Sequence, residues 1–132
     1  MQGYIQIYTG DGKGKTTAAL GLGLRAAGAG LRVSLIQFLK DGDYSEIKAL
    51  RQITPPVSVR QFGTGRFVKG QPTAEDRAMA AQGIAAAREA MTSGRYDVVI
   101  LDEINVAGNL GLVDTKAVLD MLNQRQPRVE VI

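Results

Sequence analysis

Tyr4-Ile5-Gln6-Ile7-Tyr8-Thr9 runs into Gly10-Asp11-Gly12-Lys13-Gly14-Lys15-Thr16-Thr17, and then into an Ala/Leu-rich stretch reaching Gly28 and Gly30. β-branched and aromatic residues, a glycine cluster and an Ala/Leu run read as strand, tight loop and helix. Three glycines within five residues let the backbone turn sharply and bring its N–H groups against phosphate oxygens. The helix N-terminus adds its positive end. In that setting Lys15 can reach the terminal phosphates as a mobile point charge, and the Thr16 hydroxyl can ligate magnesium or manganese. Thr17 is placed to face either helix packing or the phosphates. The loop departs from the strict phosphate-loop pattern at its start, where Thr9 stands in place of a glycine. A turn that merely capped a helix would not explain why Lys13 and Lys15 are aimed at one loop, since two such cations repel unless an anion lies between them.

Downstream, apolar runs of strand length alternate with helical stretches. Val33–Phe38, Val57–Phe62, Val98–Leu101 and Val129–Ile132 read as strands, and helices are expected near 45–53, 73–93 and 114–123. Pro55 and Pro56 end the first of these helices, and Thr73 with Asp76 has the spacing of a capping box at the start of the second. With the opening strand this makes about five strands in an α/β domain, a parallel sheet covered by helices on both faces in a RecA-like phosphate-loop architecture. One domain over 1–132 is expected, with the sequence stopping inside its final strand.

The strand Val98-Val99-Ile100-Leu101 is continuously apolar and runs directly into Asp102-Glu103. Ligands of open α/β sheets bind outside the carboxyl ends of the strands, which brings these carboxylates near the phosphate loop. One would hold a magnesium ion directly or through water. The other would ligate it too, or act as a base toward an attacking water.

Composition narrows the chemistry. The 132 residues contain no Cys and no His, which excludes thiolate nucleophiles, imidazole bases and the usual zinc sites. A metal must therefore sit on oxygen. The net charge of +3 suits a polyanionic ligand, but the 16 Lys and Arg residues are scattered and form no nucleic-acid patch. No apolar run approaches a membrane span and the start lacks a signal-peptide pattern, so a cytoplasmic protein is expected.

Four segments together resemble the P-loop ATP:corrinoid adenosyltransferases: Tyr8 to Gly21, Gln37-Phe38-Leu39-Lys40, Phe67-Val68-Lys69-Gly70 and Leu101-Asp102-Glu103-Ile104-Asn105-Val106-Ala107. The resemblance spans nearly the whole chain. It implies transfer of the 5′-deoxyadenosyl group of ATP to the cobalt of a reduced corrinoid, with release of triphosphate. It implies further that Gly10 through Thr16 cradle the triphosphate, that Thr16 and Glu103 are on the metal with Asp102 beside it, and that the loop around Phe67 and the segment after Asn105 face the corrin ring. A reductase supplying Co(I), and a homodimer, are the partners it suggests. Arg66 and Lys69 could meet the amide or carboxylate arms of the macrocycle, whereas Phe62, on a strand, is expected in the core. In the resembled family the last strand continues into a Thr-Gly-Arg turn and a further strand, neither of which is present here. Two other readings fit the same loop: a RecA-like or kinase-like ATPase in which Glu103 activates water, and an ATP-binding module without turnover.

Overall fold

The computed structural model describes residues 1–132. Its strands are β1 (Val33–Phe38), β2 (Ser58–Phe62), β3 (Val98–Asp102) and the two-residue β4 (Glu130–Val131). The helices are α1 (Lys15–Gly28), α2 (Ser45–Gln52), α3 (Ala74–Thr92), α4 (Ile104–Asn109) and α5 (Thr115–Asn123). The sheet is parallel throughout, in the order β2-β1-β3-β4.

β1 and β3 are buried along their whole length, as strands covered on both faces must be. Side chains alternate across them. Val33, Leu35, Val98 and Ile100 pack with Ala19 and Ala27 of α1 and with Ile47 and Leu50 of α2. Ile36, Phe38, Val99 and Leu101 face the other way, against Ala80, Ala86, Ala87, Ala90 and Met91 of α3. Small alanines on α3 let that helix lie close to the sheet. Its N-terminus is closed by the expected capping box, with Asp76 donating its amide to Thr73 Oγ1 at 3.1 Å and accepting the Thr73 amide at 2.8 Å. The aspartate serves where Glu or Gln is usual because it reaches the same amide.

Two expectations are corrected. The opening segment is not a full strand: only Ile5 bridges, to Val131, and the sheet has four strands where about five were expected. β4 occupies the edge beside β3, with the Ile132 amide bonded to the Val99 carbonyl at 3.0 Å, so residues 4–6 can pair only with the outer side of a very short strand. Tyr4 and Ile7 consequently remain exposed. The connection between Glu103 and Asp114, where no helix was expected, contains α4, which buries Ala107 in the α3-side core.

Candidate nucleotide site

The alternation that places Val98 and Ile100 on the α1 side of β3 places Asp102 on that side too, at the strand's carboxyl end. There it meets the first turn of α1: Thr16 Oγ1 donates to Asp102 Oδ1 at 2.8 Å, across 86 residues of chain. Gln37 lies in register with Asp102, and Gln61 in register with Gln37. Gln37 Nε2 donates to Asp102 Oδ2 at 2.9 Å, and Gln61 Nε2 donates to Gln37 Oε1 at 3.0 Å. The Gln61 amide also exchanges two hydrogen bonds with the backbone of Gly42. A row of polar side chains thus crosses three strands and fixes the carboxylate. Gln37 is fully buried, so its position depends on these partners.

The turn after β1 supplies a further group. Leu39 takes a left-handed conformation, φ 65°, and sends the chain back toward β3. Gly63 makes room for that turn, because a Cβ there would lie 2.4 Å from the Leu39 carbonyl carbon and the Lys40 amide nitrogen. Lys40 Nζ consequently stands 2.6 Å from Asp102 Oδ2, 3.4 Å from Thr16 Oγ1 and 3.9 Å from Glu103 Oε1.

Glu103 is the other non-glycine residue with positive φ, also 65°. Both left-handed residues therefore flank one site, at the ends of neighbouring strands, which is where backbone strain tends to be retained for function. Burial pushes the Glu103 carboxyl above its ordinary value, the neighbouring Asp102 charge adds to this, and Lys40 and Lys15 pull the other way. A carboxyl raised in the folded state contributes stability that is complete below the ordinary carboxylate range and is lost as pH rises through the raised value. Glu103→Gln, which never ionises, is therefore expected to match the parent's melting temperature in acid and to exceed it at neutral pH. Thermal denaturation across that range checks this, and a gap that failed to open with rising pH would contradict it.

The loop itself is exposed, with Gly10 and Gly14 at φ 138° and 107°, values that side chains rarely adopt. Lys15 is folded onto the loop, donating to the carbonyls of Gly10 and Gly12 at 2.6 Å each. Lys13 and Asp11 are exposed and form no ion pair, so of the two lysines expected at the loop only Lys15 is engaged with it. Thr17 faces an open cleft of about 480 Å³ between α1 and α2, which Thr16, Leu20, Leu24, Leu50 and Ile53 also line.

Phe67, Asn105, Arg66 and Lys69, the residues expected on the corrin side, are all exposed. Phe67 is 94% exposed, while Phe62 is buried as expected. Asn105 is exposed on the first turn of α4. Arg66 pairs with Glu75 at 3.5 Å, both in water. Lys40, Gln37 and Gln61 were not singled out as site residues from the sequence. Their signal is present in it: a glutamine amid the apolar β1 must find a partner, and the partner sits at the same register on the next strand.

Thr16, Asp102 and Glu103 offer one hydroxyl and two carboxylates. No cluster of three or more His, Cys, Asp or Glu residues exists to make a closed metal cage. Hard oxygen donors that leave most positions to water and phosphate fit a magnesium-like ion, and a cation, the Lys40 ammonium, already rests among them.

A parallel α/β sheet, a glycine loop opening α1 and a threonine–aspartate contact beneath it define a protein of the phosphate-loop class. All 132 residues match the family model described as ATP:corrinoid adenosyltransferase BtuR/CobO/CobP, and the chain belongs to that family. It is similar to the corrinoid adenosyltransferase of Escherichia coli K12, with 32% identity over 133 residues, covering 99% of this chain and 66% of that protein. The corrinoid adenosyltransferase of Pseudomonas aeruginosa is 29% identical over 132 residues, covering 99% and 65%. An uncharacterized protein of Nostoc sp. is 40% identical over 147 residues, covering all of this chain and 39% of the relative. The chain thus spans less than two thirds of the length of these relatives. No helix is long and apolar enough to cross a membrane.

Proposed function

We propose that this chain binds ATP with its triphosphate in the Gly10–Thr16 loop and transfers the 5′-deoxyadenosyl group to the Co(I) centre of a reduced corrinoid. The family match along the whole chain carries the reading. The chemistry agrees with the composition. Co(I) supplies both electrons of the new carbon–cobalt bond, the bond from C5′ to the phosphate oxygen breaks, and triphosphate departs with that electron pair. No protein nucleophile and no proton transfer at carbon is needed, which suits a chain without Cys or His.

What the protein must provide is alignment and charge stabilisation on the leaving group. Lys15, Lys13 and the amides of Gly10, Asp11, Gly12 and Gly14 are suited to the triphosphate, with Thr17 at the edge of the loop. A magnesium or manganese ion held by Thr16 and Glu103, with Asp102 beside it, would add positive charge there. Phe67 offers an apolar surface and Asn105 a polar group toward the macrocycle, and Arg66 and Lys69 lie near the same loop. The resemblance to this family also implies a separate reductase that supplies Co(I). A second copy of the chain could complete the corrin pocket.

Incubation with ATP, magnesium and chemically reduced corrinoid is expected to give a light-sensitive alkyl–cobalt product and inorganic triphosphate. Release of orthophosphate without corrinoid would favour the ATPase reading, in which Glu103 activates water. Thermal stabilisation by ATP with no product under any condition would leave a binding module.

A further inference from the structure

We propose that the Lys40 ammonium is a built-in occupant of the cation position, neutralising Asp102 in the nucleotide-free protein and giving way only when a divalent ion arrives with its nucleotide. The inference rests on the reading of Thr16, Asp102 and Glu103 as the metal site and deepens it.

Three observations carry it. Lys40 Nζ lies within 4 Å of all three oxygen-bearing side chains, which is where a small cation would balance them. Its side chain is only 22% exposed and that of Asp102 only 7%, so the pair is screened little by solvent. The placement is also constructed: the left-handed Leu39 and the close approach at Gly63 turn Lys40 back over the end of β1, while Gln37 holds the carboxylate from beneath. A lysine kept solely to tie two strands together would not need an approach to Thr16 and Glu103 as well.

The consequence concerns selectivity. A divalent ion without nucleotide must displace an ammonium already paired with Asp102 and receives only three protein oxygens in return. An ion bound to a nucleotide brings phosphate oxygens of its own, and those phosphates give the displaced ammonium a new partner. Lys40 thereby makes metal binding conditional on nucleotide and acts as a positioning residue for the site.

Titration of the nucleotide-free protein with Mn²⁺, followed by the electron paramagnetic resonance of free aqueous manganese, tests this. Lys40→Met is expected to bind free Mn²⁺ at least about tenfold more tightly than the parent, because the competing charge is gone. Lys40→Arg, which keeps the charge, is expected to stay near the parent. With Mn²⁺ and ATP together the advantage of Lys40→Met shrinks. A lysine of merely structural value predicts the reverse, since its loss would loosen the site and weaken Mn²⁺. Equal or weaker Mn²⁺ binding in Lys40→Met therefore overturns the inference.

Should that variant not fold, Lys40→Gln keeps a hydrogen-bond donor toward Asp102 and makes the same comparison. On the unsubstituted protein, saturating Mn²⁺ with ATP is expected to change the rate at which an acylating reagent modifies Lys40 relative to exposed Lys69, and an unchanged ratio counts against the exchange. If the parent fails to bind Mn²⁺ even with ATP, the site assignment itself falls. If it binds Mn²⁺–ATP but Lys40→Met gains nothing, only the role of Lys40 does.

Discussion

Lys15→Ala is expected to remove between half and nearly all of the thermal stabilisation that magnesium and ATP confer, while the melting temperature of the nucleotide-free protein barely moves. The second half follows from the environment of Lys15, an exposed side chain whose only bonds are to two carbonyls of its own loop. The first half follows from charge. A hydrogen bond to an ionised partner is worth about 1.5–3 kcal/mol, and at roughly 1.4 kcal/mol per decade that weakens nucleotide binding by about 10- to 100-fold. At a ligand concentration ~100 times the parent's Kd, the parent gains about 2.7 kcal/mol, and a variant bound 100-fold more weakly gains only ~0.4 kcal/mol. Thermal melts with and without nucleotide read this directly. A variant that kept the full ligand-induced shift would show that the phosphates do not lie over Gly12 and Gly14.

The part of the site that depends on local chemistry was legible in the sequence. A glycine loop between a β-branched run and an Ala/Leu run admits few readings, and the apolar strand ending in Asp102-Glu103 had to deliver its carboxylates to the ligand edge of the sheet. The contact of Thr16 with Asp102 follows from those two facts. What could not be read was pairing. Tyr4–Thr9 has every property of a strand, yet strand formation requires a neighbour, and the neighbour it finds is β4, two residues long and already bonded to β3. The roles of Gln37, Gln61 and Lys40 were hidden for a related reason. Each depends on the lateral register of β1, β2 and β3, or on the backbone reversal at Leu39, and a linear pattern carries neither. α4 escaped notice because a six-residue helix is too short for its period to show against a background containing Gly108 and Asn109.

Register also determines which substitution harms the fold most. Asp102 accepts from Thr16, Gln37 and Lys40, and only 8% of its surface reaches water. Asp102→Ala takes the acceptor from all three at once. Gln37 Nε2 is then stranded in a fully buried position, and Lys40 is left with Glu103 at 3.9 Å. Breaking a fully buried ion pair costs about 3–5 kcal/mol, but Lys40 can turn partly toward solvent, so a loss of ~2–3 kcal/mol in urea denaturation is expected. Asp102→Asn retains an acceptor oxygen for Gln37 and should lose only about 1 kcal/mol. The double variant Asp102→Ala with Lys40→Met is expected to be more stable than the two single losses would sum to, because the second change removes the charge that the first left unpaired. Strict additivity, or a loss under ~0.5 kcal/mol for Asp102→Ala, would mean that water reaches the end of β3 freely. In that case the carboxylate could not hold one orientation toward the loop, and the same residue could not serve both the fold and the ligand.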